Sequence, residues 1–159
     1  MTRAPDFDRA AVLALNAGHL VETGPLSAAE LDRLLSLAFH AEALHDPAGA
    51  LTGFVTALEQ GADWPSLNYA WFAARHARFV YVDRIVTAPA ARGQGVARRL
   101  YAGVFEAARA AGHDRVGAEV NVDPPNPASL AFHAAMGFEP LAEAPLPNGK
   151  RVRYLLKRL

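Results

Sequence analysis

The sequence contains no cysteine. That excludes disulfides, a thiolate nucleophile, iron–sulfur clusters and cysteine-bound zinc. Charge of one sign is also lacking, because 16 basic side chains balance 16 acidic ones. No overall field draws the chain to nucleic acid or to an anionic membrane, and neither is expected as a partner. No apolar run reaches the roughly 18 residues a membrane span needs. The opening MTRAPDFDRAAVLALN carries aspartates where a signal peptide is apolar. A cytoplasmic location follows by elimination. Repeats, low-complexity tracts and an interdomain linker are missing too, so residues 1–159 read as one domain with room for a core. His40, His45, His76 and His113 show no ligand spacing, and no metal is expected.

What is present is an alternation of strand and helix patterns. AAVLALNAGHL predicts a short strand over Val12–Asn16. PLSAAELDRLLSLAF predicts a helix, with Ser27 and Glu30 forming a capping box and Leu31, Leu34, Leu35 and Ala38 at helical spacing. HAEALHD and ALTGFVTALEQ predict two strands around the turn DPAG. Residues 61–76 read as an aromatic-rich loop. RFVYVDRIVT is a strand, and residues 94–111 form a helix striped by Val96, Leu100, Val104, Ala107 and Ala111, ended by Gly112. DRVGAEVNV is the next strand. PASLAFHAAM is a helix with Asn126 as cap and Pro127 at its first position, stopped by Gly137. FEPLAEA and KRVRYLLKRL close as strands. The order β-α-β-β-β-α-β-α-β-β implies an α/β fold with a mixed central sheet.

One stretch carries chemistry. ARGQGVARRL (Ala91–Leu100) sets Gly93 and Gly95 among Arg92, Arg98 and Arg99 where a strand hands over to a helix. The first N–H groups of a helix lack partners, and the dipole adds about half a positive charge there. Glycines let the backbone approach a phosphate. Arginines in a first turn oppose the dipole unless a polyanion lies against them. Taken alone, the stretch reads equally as a plain turn beside a solvated face. No Lys-Ser or Lys-Thr follows, so the Walker pattern fails. Arg98 stands where a dinucleotide fingerprint has its third glycine.

Arg92-x-x-Gly95-x-Ala97 resembles the acetyl-CoA signature of the GNAT acetyltransferases. A second match follows in NPASLAFHAAMGF, where Asn126, Ser129, His133, Gly137 and Phe138 fall on that superfamily's second element. The chain as a whole also resembles a group of bacterial predicted acyltransferases. The resemblance implies a GNAT fold, in which two parallel strands splay apart between flanking helices. It implies acetyl-CoA as acyl donor and a small-molecule or peptide amine as acceptor. The pyrophosphate would lie on the Arg92, Gly93, Gln94, Gly95, Val96, Ala97 and Arg98 turn. The pantetheine arm would run along the backbone of Ile85, Val86 and Thr87, as an added strand does. Asn126, Ser129, Phe132 and His133 would complete the cofactor surface.

Transfer to an amine needs a base for the ammonium, a donor for the thioester oxyanion and a proton for the thiolate. His133 occupies the place where the superfamily often has a tyrosine acting as that acid; otherwise it is a packing residue. Asp83 is one candidate base, on a face with Phe79, Tyr81 and Ile85 if the strand is regular, unless it merely pairs with Arg84. Glu119, a carboxylate inside an apolar strand, is the other. Trp64, Tyr69, Trp71 and Phe72 wall an acceptor pocket or pack in the core. Asn16 and His19 follow the first strand, at an acceptor cleft or in a turn. The expected function is direct N-acetyl transfer in a ternary complex. The rivals are a non-catalytic CoA-binding or regulatory domain and a nucleotide-binding module. Apolar closing strands allow a homodimer.

Overall fold

Helical and alternating patterns resolve into β1 (Thr2–Arg3), α1 (Arg9–Ala17), α2 (Leu20–Thr23), α3 (Ala28–Leu37), β2 (His40–His45), β3 (Leu51–Glu59), α4 (Leu67–Ala73), β4 (Val80–Thr87), a single 3-10 turn at Pro89–Ala91, α5 (Val96–Ala110), β5 (Arg115–Asp123), α6 (Pro127–Ala135), β6 (Glu139–Pro145) and β7 (Arg151–Arg158). They come from a computed structural model that describes residues 2–3 and 7–159. The strands form one mixed sheet in the order β1-β2-β3-β4-β5-β7-β6. Helices α5 and α6 cover one face. Helices α1, α3 and α4 cover the other.

The central pair is the feature that matters. Strands β4 and β5 run parallel and pair only at Val80↔Val116 and Tyr81↔Gly117. Beyond those residues they separate, which is the splay the GNAT resemblance implies. Gly117 makes room for α4 at the root of the pair, because a Cβ there would collide with the Phe72 ring. Val80, Val82, Val116 and Ala118 join α5 in one buried cluster, while Phe72, Phe79 and Tyr81 build another on the opposite face.

Three expectations are corrected. Val12–Asn16 is not a strand but the middle of α1. Asp8 caps that helix by accepting from the Ala11 N–H, and Val12 and Asn16 bury one face of it. The run VLAL suits either structure by hydrophobicity, and the alanine- and leucine-rich surroundings with a cap decide for helix. The 61–76 loop contains α4, capped by the Ser66 hydroxyl on the Tyr69 N–H. The α5 stripe runs Val96, Leu100, Val104 and Ala108; Ala107 is half-buried and Ala111 exposed. By contrast, the Ser27–Glu30 capping box and the Asn126 cap with Pro127 behind it form as expected.

Candidate active site

A cavity of about 600 Å³ occupies the splay, lined by β4 and β5 and by residues from both sides of the sheet. On the α5–α6 side it is bounded by the turn after β4. Gly93 and Gly95 have φ of +78° and +75°, a conformation that side-chain-bearing residues rarely adopt. Gly95 is the N-cap of α5 and supplies no side-chain bond, so the leading amides of Val96, Ala97 and Arg98 stay open. Arg92, Arg98 and Arg99 are exposed around them, with no acidic residue in the first turn. Ile85, Val86, Thr87, Arg92, Gly93, Ala97, Asn126, Ser129 and Phe132 all line the cavity. Gln94, Gly95, Val96 and Arg98 do not. The Gln94 amide folds back onto the Ala90 carbonyl, and Val96 is buried in the core.

His133 lines the same cavity but has no free proton to offer it. Its Nδ1 lies 2.8 Å from the Ser129 carbonyl, which can only accept, so Nδ1 carries the hydrogen. Nε2 then accepts from the Tyr101 hydroxyl at 2.7 Å. Burial pushes the imidazole below its usual range and keeps it neutral. Tyr101, on α5, also lines the cavity, and burial raises its phenol well above the ordinary value. Sequence reasoning missed Tyr101. The only signal was a tyrosine within an apolar stripe, whose hydroxyl must find a partner when buried.

On the opposite face, Asp83 is fully employed. Its Oδ1 accepts from Trp64 Nε1 at 3.0 Å and its Oδ2 from Arg84 Nε at 2.9 Å. The regular alternation expected for this strand breaks here. Thr56 pairs with Arg84 and Ala57 with Val82, so Asp83 is an extra residue in β4. After the bulge, Ile85 packs on the α5 side and Val86 on the α1–α3 side. Arg84 reaches Asn16 Oδ1 at 3.0 Å, and Asn16 in turn donates to the Gly24 carbonyl.

Glu119 differs from Asp83. Its Oε1 accepts from Asn68 Nδ2 at 3.1 Å, while Oε2 is buried and makes no well-formed hydrogen bond among the described residues, with the Tyr81 hydroxyl near enough to hold the carboxyl's pKa down in part. Asn68 is held in that orientation by the Tyr154 hydroxyl, which donates to its Oδ1 at 3.0 Å. Burial, with the nearby Asp83 charge adding to it, pushes the Glu119 carboxyl up to about 8. Of the residues given an acceptor role from sequence, His19 lines the cavity, with Nδ1 on the Leu15 carbonyl. The aromatics Trp64, Tyr69, Trp71 and Phe72 do not; they pack, with Trp71 stacked on Tyr154 at 4.1 Å.

Residues 17–138 match the family model for the acetyltransferase (GNAT) family. The fold is similar to that of the NatC complex bound to Gag peptide and CoA, at 17% identity over 97% of this chain and 92% of that one, TM-score 0.75. It is similar to Chaetomium thermophilum Naa20 in complex with a bisubstrate analogue, at 18% identity over 96% and 84%, TM-score 0.71. The ribosomal-protein-S18-alanine N-acetyltransferase from Escherichia coli aligns at 15% identity over 99% and 91%, TM-score 0.69. No curated protein matches the sequence.

Proposed function

Because the chain belongs to the acetyltransferase (GNAT) family, whose donor is acetyl-CoA, we propose that it moves the acetyl group to a primary amine by direct attack in a ternary complex. Glu119 is the base. The observation that carries this reading is the Glu119 carboxyl, buried in the cavity wall with an Oε2 that makes no well-formed hydrogen bond among the described residues. A typical ammonium has a pKa near ~10, and a carboxylate raised to about 8 is far better matched to it than an ordinary one. Asp83, already satisfied at both oxygens, supplies fixed negative charge rather than proton transfer.

The residues would hold the donor as follows. The open amides at the start of α5 and the flanking arginines suit the pyrophosphate. The β5-facing edge of β4 beyond Tyr81 carries no strand ladder and can receive the pantetheine amides near Ile85, Val86 and Thr87. The ammonium gives a proton to Glu119, and the freed nitrogen attacks the thioester carbon. The C–N bond forms, the C–S bond breaks, and the proton displaced from nitrogen ends on sulfur. At the sulfur end His133 acts through Tyr101. The hydroxyl can turn its hydrogen from His133 Nε2 toward a developing thiolate. The structural relatives named with peptides or a protein alanine make a peptide amine a reasonable acceptor beside a small amine. A cytoplasmic, single-domain enzyme, free or as a homodimer, belongs to the same reading.

Thiol release from acetyl-CoA with a panel of amines is the test. Release with at least one amine, abolished in Glu119→Gln while CoA still raises Tm, is the expected result. CoA binding without release across the panel would favour the non-catalytic domain.

A further inference from the structure

Arg84 is a guanidinium only 8% exposed, set in the cavity wall. Two of its nitrogens are bound: Nε to Asp83 at 2.9 Å and Nη1 to Asn16 at 3.0 Å. Its Nη2 has no hydrogen-bond partner among the described residues, yet it is not sealed away. The arrangement is built rather than incidental. Asp83 is pinned from behind by Trp64. Asn16 is pinned by the Thr23 hydroxyl at 3.0 Å and by the Gly24 carbonyl. The β4 bulge turns Asp83 and Arg84 to the same side of the sheet. A buried fork with one free prong needs an oxygen from outside the chain.

Position says which molecule brings that oxygen. The register Val80↔Val116 and Tyr81↔Gly117, carried forward, sets Glu119 level with Asp83 and one residue from Arg84 across the opening splay. A base and a free guanidinium donor thus face one small space. We propose that Arg84 binds a carbonyl-type oxygen carried close to the reacting amine, so that the acceptor is an α-amino acyl group: a free amino acid or the first residue of a peptide. The inference rests on the assignment of Glu119 as base. The same geometry disfavours polyamines, whose second ammonium would meet the guanidinium. It gives no anchor to a lysine side chain, whose amine lies far from any carbonyl. Glu22 and His19 line the same wall.

The experiment uses the full chain saturated with CoA. Calorimetry measures binding of the common amino acids, their amides, short peptides, and the matching decarboxylated amines. At least one α-amino acyl compound is expected to bind about 10-fold or more tightly than its decarboxylated partner, the usual worth of a charge-assisted hydrogen bond. Retained binding by amides and peptides identifies a peptide N-terminus; loss on amidation identifies a free amino acid. Arg84→Lys keeps a cation beside Asp83 but loses the fork, and should erase the discrimination while the CoA-induced rise in Tm persists. Equal binding of the acyl compounds and the bare amines in the wild-type chain overturns the proposal, whether or not the variant folds. Turnover of bare amines at full efficiency would overturn it too, and would leave the acetyltransferase reading intact. Absence of turnover with tight amino-acyl binding would spare the subsite and count against Glu119.

Discussion

Tyr101 Oη and His133 Nε2 lie 2.7 Å apart and face one cavity from two different helices. Removing either side of this bond removes the same hydroxyl-to-imidazole contact. Tyr101→Phe and His133→Phe should each lower kcat about 10-fold to 100-fold, with near-normal CoA binding. The double variant should be little worse than the singles, because the two groups act as one. Additive losses in kcat would show that they work separately. Loss of CoA affinity at unchanged kcat would make both cofactor-binding residues.

Glu119 carries a pH signature in two observables. As the base it must be ionised, so kcat/KM should rise with pH up to about 8 and then level off. Glu119→Gln should lose about 100-fold or more and flatten that limb. The stability sign is opposite. The folded carboxyl titrates near 8 and the unfolded one near 4.5, so the folded chain holds the extra proton between those values. Stability therefore falls as pH rises through that window. Glu119→Gln should gain in Tm over the wild type above pH 8 and match it near pH 4. A Tm difference independent of pH would sink the assigned titration.

Gly95 and Gly61 offer a matched pair. Both have positive φ, +75° and +84°, and a Cβ at either meets nothing within 4 Å. Valine at either site should cost about 1–2 kcal/mol or more through backbone strain. Only Gly95→Val should also lose most of the CoA-induced rise in Tm, because it alone reshapes the turn before α5. An equal CoA shift in both variants would move the phosphate site elsewhere.

Arg98 and Arg99 are exposed and make no ion pair among the described residues. Replacing both with alanine should weaken CoA binding more at low salt than at high salt, as screened surface charges do. Titrations at two ionic strengths measure it. The same loss at both would indicate packing rather than charge.

The parts legible in the sequence are those set by neighbours along the chain. The turn at Gly93 and Gly95, the Ser27–Glu30 box and the Asn126 cap each need only a few consecutive residues. The parts that were not legible depend on distant partners. Tyr101 meets His133 across 32 positions, and Asn68 meets Glu119 across 51. The contrast between Asp83 and Glu119 is of this kind. Both are carboxylates in apolar strands, and only the tertiary arrangement occupies both oxygens of one and spares an oxygen of the other. The α1 error had a different cause: a short apolar run has no decisive period.

The extra residue in β4 makes that strand change phase partway along its length. Up to Val82 it follows one alternation, and from Arg84 onward it follows the other. Asp83 is therefore a spacer as well as a carboxylate. Asp83→Asn would leave the spacing untouched and disturb only the local charge. Deleting the residue would set Val82 and Arg84 side by side opposite Ala57 and Thr56, so Arg84, Ile85 and Val86 would keep their partners and their faces. The sheet would survive as an uninterrupted ladder. What would go is the local bend and the carboxylate that ties Trp64 to Arg84. The one codon the strand could lose without losing its register is thus the one that braces the guanidinium in the cavity wall.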